Sequence, residues 1–411
     1  MTLNNKLIAR ICLPAVCLVA ASAFTACSDD DDPTAKLYPV TIEQTMPEGV
    51  PTGYVVKSGE LTYTELNTGS VTVITLPVQP TATLSAGVYD IQGTMTVTYP
   101  GDDTEHIFRT AASQKVIDGP TSSVSLVWHH YDATNTLVFG EIYVTGTLNA
   151  KGTSGLYDTY FTIYNNTDSV QYADGLALVE SKILNSANDE ILTAANAFNS
   201  NFTVGTVYVI PGNGTDVPVQ PGESIKIVDQ AINWDEQVPG ALNHTDADFE
   251  WYDETTSATV KDTDNPAVAN LDKWFCYSAT IWLPSQQCNR SYALVRFPEG
   301  MNVETFLASQ QGDYEYINAA TGKQMTGNKC YLIKPEWIID GVNLCPTETH
   351  KQNVLPTSVD ISFAAISDKN NDKTRFGKKF ARRTLGTSVG GHTLLLDTND
   401  SANDFEVTAV K

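Results

Sequence analysis

The chain reads as an all-β protein, two tandem Ig-like β-sandwich domains with a few short helices in insertions. Three observations predict this. Apolar residues alternate with Thr and Ser over short runs, Gly/Pro turn signals recur at ~10-residue spacing, and helical signals are confined to three short stretches.

Taken in order, the chain opens on a leader, residues 1–26. Lys6 and Arg10 form a short basic region, Ile11 to Phe24 an apolar one, and Phe24-Thr25-Ala26 supplies small residues around a cut. The apolar run of about 14 residues is short of the ~20 that span a bilayer, so a permanent transmembrane helix is not expected. Cleavage before Cys17 would place the bulky Val16 beside the cut. The reading is therefore lipidation at Cys27, although Phe24 stands where Leu is commoner. Cys27 begins a lipidated acidic tether, 27–36, in which Ser28, Asp29, Asp30, Asp31 and Asp32 follow the anchor. This run resembles the export signal of Bacteroidota surface lipoproteins. The resemblance implies an outer-membrane protein, lipid-anchored and facing the outside of the cell. Four Asp in a row would also act as a solvated, self-repelling spacer.

Residues 37–134 form the first expected sandwich. In Thr94-Met95-Thr96-Val97-Thr98-Tyr99 the apolar residues share one face, and Ser70-Val71-Thr72-Val73 and Ser123-Val124-Ser125-Leu126-Val127-Trp128 alternate similarly. Asn67-Thr68-Gly69, Ala86-Gly87, Pro100-Gly101-Asp102 and Asp118-Gly119-Pro120 mark turns, which fits an antiparallel sandwich.

Residues 135–411 form the second. Phe139–Val144, Tyr160–Tyr164, Asp174–Val179 and Val219–Val228 read as strands, and Asp189–Phe198, Val303–Ser309 and Pro335–Gly341 as short helices. Glu141-Ile142, Asp158 to Asn165, Gly175 to Leu178 and Pro221-Gly222 resemble, in order, the stations of a lamin-tail-like domain, which implies an Ig-like sandwich. Thr162 stands where that family commonly carries Glu, and a long segment near 229–300 precedes the last strands. With 246–253, 270–275 and 397–405, the whole chain resembles an uncharacterised Bacteroidota surface lipoprotein family, which implies a fold and no known chemistry.

Composition narrows the partners. The net charge is −23, and losing Lys6 and Arg10 with the leader makes it −25, which argues against nucleic acid. Cys276, Cys288, Cys330 and Cys345 remain after the leader and anchor. In an exported chain this even number suggests one or two disulfides with three pairings open, the alternative being four buried thiols. CxxC is absent, so no zinc site is read.

No cofactor or metal motif is evident. Asp397, Asn399, Asp400, Asn403 and Asp404 could offer oxygen ligands to Ca²⁺, as could Asp368, Asn370 and Asp372, but Ala402 and Lys373 occupy the position that needs Gly, and Asx turns account for both. His244, Asp246 and Asp248 alternate as a base with carboxylates would, and a turn into a strand explains them equally. The chain has no His-Glu-x-x-His or phosphate-cradling loop. Lys369, Lys373, Arg375, Lys378, Lys379, Arg382 and Arg383 gather as a contact patch for an acidic partner, a sulfated glycan or lipopolysaccharide phosphates, or as a solvated loop. Asp168-Ser169-Val170 and Asp400-Ser401-Ala402 match a three-residue O-glycosylation pattern, which requires Ser169 and Ser401 to be exposed. Trp128, Tyr131, Trp251, Tyr252, Trp274 and Trp282 form either a glycan-stacking platform or core.

The expectation is a non-enzymatic binding or accessory module at the outer membrane, working beside a TonB-dependent receptor by analogy with other surface lipoproteins or holding a glycan. The alternative is a fimbrillin-like structural or adhesive protein.

Overall fold

The computed structural model describes residues 37–410 except 48–49, 78–80, 121, 132–136, 153, 156–157 and 192–200. The leader, Cys27 and Ser28 to Asp32 lie outside the described residues, as does most of the helix expected at Asp189–Phe198. Of that stretch, Glu190–Ile191 is a strand paired with Tyr316 and Ile317.

The first sandwich stacks two sheets. Strand Leu37–Thr45 lies between Thr81–Ser85 and Ser123–Val127. Opposite it run, in order, Val71–Leu76, Val55–Glu65, Gly87–Tyr99, Asp102–Ile117 and His129–Tyr131. The period-2 alternation does what it predicts: Val40, Ile42, Val124 and Leu126 meet Leu61, Tyr63, Ile91, Met95 and Phe108 in one core. Trp128 fills its middle, and its indole Nε1 donates to Gln44 Oε1 at 2.9 Å. Two expectations change. Leu37–Thr45 and Ser123–Val127 pair in parallel, because the chain passes through the other sheet between them. Val71 and Val73 point outward, as the register that buries Leu61 and Tyr63 pairs them with Thr64 and Thr62.

The second sandwich is larger. One sheet runs Ala269–Asn270, Phe249–Glu250, Ser224–Val228, Tyr160–Asn165, Leu137–Tyr143, Lys378–Arg382, Phe405–Ala409. The facing sheet runs Glu190–Ile191, Gln311–Ile317, Gln324–Ile333, Phe202–Val209, Leu176–Ser181, Ser291–Arg296, Ile338–Asn343, and Asp272–Cys276 also pairs with Phe202–Val209. Between the sheets lie Phe161, Tyr208, Trp251, Trp282 and Tyr292, with Trp251 and Trp282 ring centroids 4.8 Å apart. The far face of the second sheet is covered too. Val179, Val207 and Val295 meet Phe306 of helix Val303–Ser309 together with Val354, Leu355 and Val359. That double covering explains why Leu176–Ser181 and Phe202–Val209 are buried along their whole length.

Helix Val303–Ser309 forms as expected, its start fixed by reciprocal bonds between Asn302 and Thr305. The helix expected at Pro335–Gly341 ends after one 3-10 turn, Pro335–Trp337, and Ile338–Asn343 continues as a strand whose Asp340, Val342 and Asn343 are buried. The two sandwiches touch where the Arg109 guanidinium donates to the Thr398 carbonyl.

Candidate functional site

A polar cleft opens on the outer face of the seven-stranded sheet. Alternation along the strands sends Phe161, Ile142, Ile227 and Phe380 inward and leaves Tyr160, Thr162, Glu141, Lys226 and Lys379 on the other side. The register sets Lys226 opposite Thr162 and Thr162 opposite Glu141, so cation, hydroxyl and carboxylate lie in a row across three strands. Leu242, Asn243 and Val410 complete a cleft of about 220 Å³. A larger depression of about 370 Å³ lies between Pro298, Met301 and Ala308, but Glu299 is its only charged lining residue.

Glu141 is held firmly. Its Oε1 accepts from Lys379 Nζ at 2.6 Å, and its Oε2 from the Tyr160 hydroxyl at 2.7 Å. Burial first, and then the same contact with Glu141, raises the Tyr160 pKa and keeps the phenol protonated. Lys226 Nζ contacts Asp246 Oδ1 at 3.1 Å and lies 5.7 Å from the centre of the Tyr160 ring. Asp246 is 79% exposed, so an anionic group could displace it from Lys226 at small cost. The cleft therefore offers one exchangeable ammonium and one fixed carboxylate.

His244, Asp246 and Asp248 do not form the constellation their alternation suggests. They lie on a turn, where Ala247 N donates to the His244 carbonyl, and they diverge from it. His244 is buried edge-on against Tyr160, ring centroids 5.8 Å apart. Burial first, then Lys226, pulls its pKa down to about 4, so the ring is neutral at pH 7. Asp246 meets Lys226, and Asp248 accepts from the Lys226 backbone N–H.

The basic cluster is not a free patch. Arg382 is buried among Asp340, Asp397 and Asp404, because it points into the core from Lys378–Arg382, the strand beside the edge strand Phe405–Ala409. Arg375 is buried and donates to the carbonyls of Gln286 and Asp372. Lys379 is taken by Glu141, Lys373 reaches the Gly152 carbonyl, and Arg383 donates to the Phe405 carbonyl. Of the seven, Lys378 sits half-buried on the same strand as Arg382, and Lys369 is exposed.

The four cysteines are free thiols rather than disulfides. Cys330 Sγ donates to the Gly312 carbonyl at 2.8 Å, and Cys276 lies near the Thr206 hydroxyl. Ser169 is exposed, but Ser401 is buried with its hydroxyl on Asp360, which removes it as a glycosylation site. The acidic run 397–404 is consumed internally. Asp397 pairs with Arg382, Asp400 caps the Ser401–Asp404 turn, and Asp404 accepts from Thr398 and Asp400. Asp372 caps Lys373–Arg375 in the same way. Trp128, Trp251 and Trp282 are fully buried, and Trp274 stacks on Phe297, so they are core and not a platform. Tyr252 is half-buried.

One cluster left no sequence signal. Asp229, Glu250, Asp253 and Asp262 approach one another beneath the loop after Phe249–Glu250, and burial plus mutual repulsion raises the Asp229 pKa far above the carboxylate range. Asp253 is satisfied by the Tyr208 hydroxyl, Lys273 Nζ at 2.6 Å and Trp282 N–H. Glu250, Asp253 and Asp262 fall within 13 residues, but Asp229 lies 21 residues upstream of Glu250 and joins them because Ser224–Val228 pairs with Phe249–Glu250. Among the described residues, no group of three or more His, Cys, Asp or Glu is placed to hold a metal ion. No helix among them is long and apolar enough to cross a membrane.

Residues 220–411 match a family of proteins of unknown function, DUF4876. The DUF4876 match begins at the turn before Ser224–Val228 and so takes in only part of the second sandwich, since Leu137–Tyr143, Tyr160–Asn165, Leu176–Ser181 and Phe202–Val209 complete both of its sheets. A solved structure of a DUF4876 family protein from Bacteroides thetaiotaomicron VPI-5482 is 19% identical, with a TM-score of 0.52, covering 90% of this chain and 94% of that one. At that identity the likeness concerns the fold. No curated protein matches the chain.

Proposed function

We propose that this is a lipid-anchored surface protein of the outer membrane that binds a ligand or assists a TonB-dependent receptor without catalysing a reaction, and that its second sandwich is lamin-tail-like. The carrying observation is the run Cys27-Ser28-Asp29-Asp30-Asp31-Asp32, whose Cys27 stands ten residues ahead of the first described strand at Leu37. An acyl chain there would tie both sandwiches to a membrane through an acidic spacer. The cleft around Thr162 supports a binding role, because Lys226 and Glu141 are arranged to hold charge while the nearby imidazole is buried and neutral.

Expression of the Cys27→Ala chain in whole cells tests the anchor: the wild type should partition with detergent-extracted membranes and the variant should be released. A variant that stays membrane-bound and detergent-dependent defeats the reading. The fimbrillin-like alternative predicts open-ended strand-exchange polymers of residues 33–411, whose appearance would displace the accessory role.

A further inference from the structure

The open edge of a β-sheet carries unpaired N–H and C=O groups and needs a defence or a partner. The second sandwich is defended. Ala269–Asn270 and Glu190–Ile191 are two residues long, and Phe405–Ala409 carries Glu406. On Ile338–Asn343, Asn343 N–H donates to Asp360 at 2.8 Å and its carbonyl accepts from Ala364 at 2.9 Å.

Among the described residues, Val71–Leu76, at the edge of the five-stranded sheet, has none of these devices. It runs for six residues, Val-Thr-Val-Ile-Thr-Leu, with no charge and no proline, and Val71 and Val73 are 56% and 53% exposed. Its hydrogen-bond phase is fixed by the hairpin, where Glu65 N–H donates to the Ser70 carbonyl at 2.8 Å. Alternation then gives Thr72 and Ile74 to the neighbouring strand and turns the N–H and C=O of Val71, Val73 and Thr75 to the open side.

We propose that a second copy of this chain pairs antiparallel along this edge, across a two-fold axis at Val73. Charge favours that occupant. In a chain of net charge −23 most surfaces repel their own copy, whereas two of these strands meet with no like charges between them. The two-fold register sets Val73 opposite Val73 and Val71 opposite Thr75, β-branched pairs that favour a sheet, and closes about six backbone hydrogen bonds. The contact is small, so the dimer forms with concentration and is closed, unlike a strand-exchange polymer.

Sedimentation velocity on residues 28–411, which contain both cores, tests this. The wild type should shift from monomer to dimer as concentration rises from micromolar to hundreds of micromolar. Val73→Pro should stay monomeric with unchanged thermal unfolding, because the N–H it removes faces outward and is not used within the sheet. Val73→Lys should also stay monomeric, and mixing it with Val73→Asp should restore a heterodimer, since position 73 faces itself. A wild type monomeric throughout, a dimer that Val73→Pro keeps, or an open-ended polymer would each overturn the proposal. So would a monomer that instead binds an added neutral Val/Thr peptide, which would give the edge to a foreign strand.

Discussion

Arg382 Nη2 lies 2.6 Å from Asp340 Oδ2, and this contact joins the two sheets of the second sandwich. Asp340 also accepts from Phe139 N–H at 2.6 Å, and Arg382 Nε donates to the Phe139 carbonyl at 2.8 Å. Asp397 and Asp404 approach the same guanidinium at 3.2 and 3.6 Å. One cation therefore serves three buried carboxylates.

Removing that cation strands them. Arg382→Met should cost about 3–5 kcal/mol, the usual loss when a buried pair is broken from one side. Arg382→Lys should remain destabilised, because an ammonium cannot serve Asp340, Asp397 and the Phe139 carbonyl as the planar fork does. Urea unfolding of residues 28–411 reads both, and an Arg382→Met chain of native stability would remove the clamp from the account.

Stability should depend on pH through two opposed effects. Burial lifts Asp340 to about 7 and Asp262 and Asp404 to about 6, above an unfolded carboxyl near 3.8. The folded chain then holds more protons, so this contribution is complete below about pH 4 and is lost as pH rises through 6 to 7. His244, lowered to about 4 from 6.5, works the other way and weakens the fold as pH falls across that window. His244→Phe should therefore gain thermal stability relative to wild type as pH falls from 6.5 to 4. A difference that stays constant over that range would contradict it.

The thiols should be silent until the chain unfolds. Burial raises Cys288 to about 12 and Cys330 and Cys345 to about 11, leaving almost no thiolate at neutral pH. Residues 28–411 should react with Ellman's reagent at no more than one site when native, the half-buried Cys276, and at four in denaturant without reductant. Two thiols in denaturant would reveal a disulfide.

Gly93 marks where the Trp128 ring packs. A Cβ there would sit 2.5 Å from a Leu61 methyl and 3.0 Å from the indole, so Gly93→Ala should lower stability by about 1–3 kcal/mol through overpacking. Thermal unfolding measures it, and an unchanged midpoint would mean the ring can move aside.

Much of the fold was legible because its signals are local. The alternation of Met95 and Val97 with threonines, the turn at Asn67-Thr68-Gly69 and the helix Val303–Ser309 each depend on neighbours within a few residues. The candidate site was barely legible. Lys226, Thr162, Glu141 and Lys379 come from four strands, and nothing in their own segments says that pairing will align them.

By itself the sequence determined the all-β class, the acidic balance and the Cys27 run, since composition, period and a contiguous motif do not depend on distant contacts. Tertiary structure decided which residues those patterns place inside. It took Arg382 from an apparent surface cluster into an ion network, Ser401 from a candidate modification site into a buried turn, and the tryptophans into the core. It also left Val71 and Val73 outside. The reason is that alternation fixes two faces for a strand, and only register and sheet order choose the one that meets water.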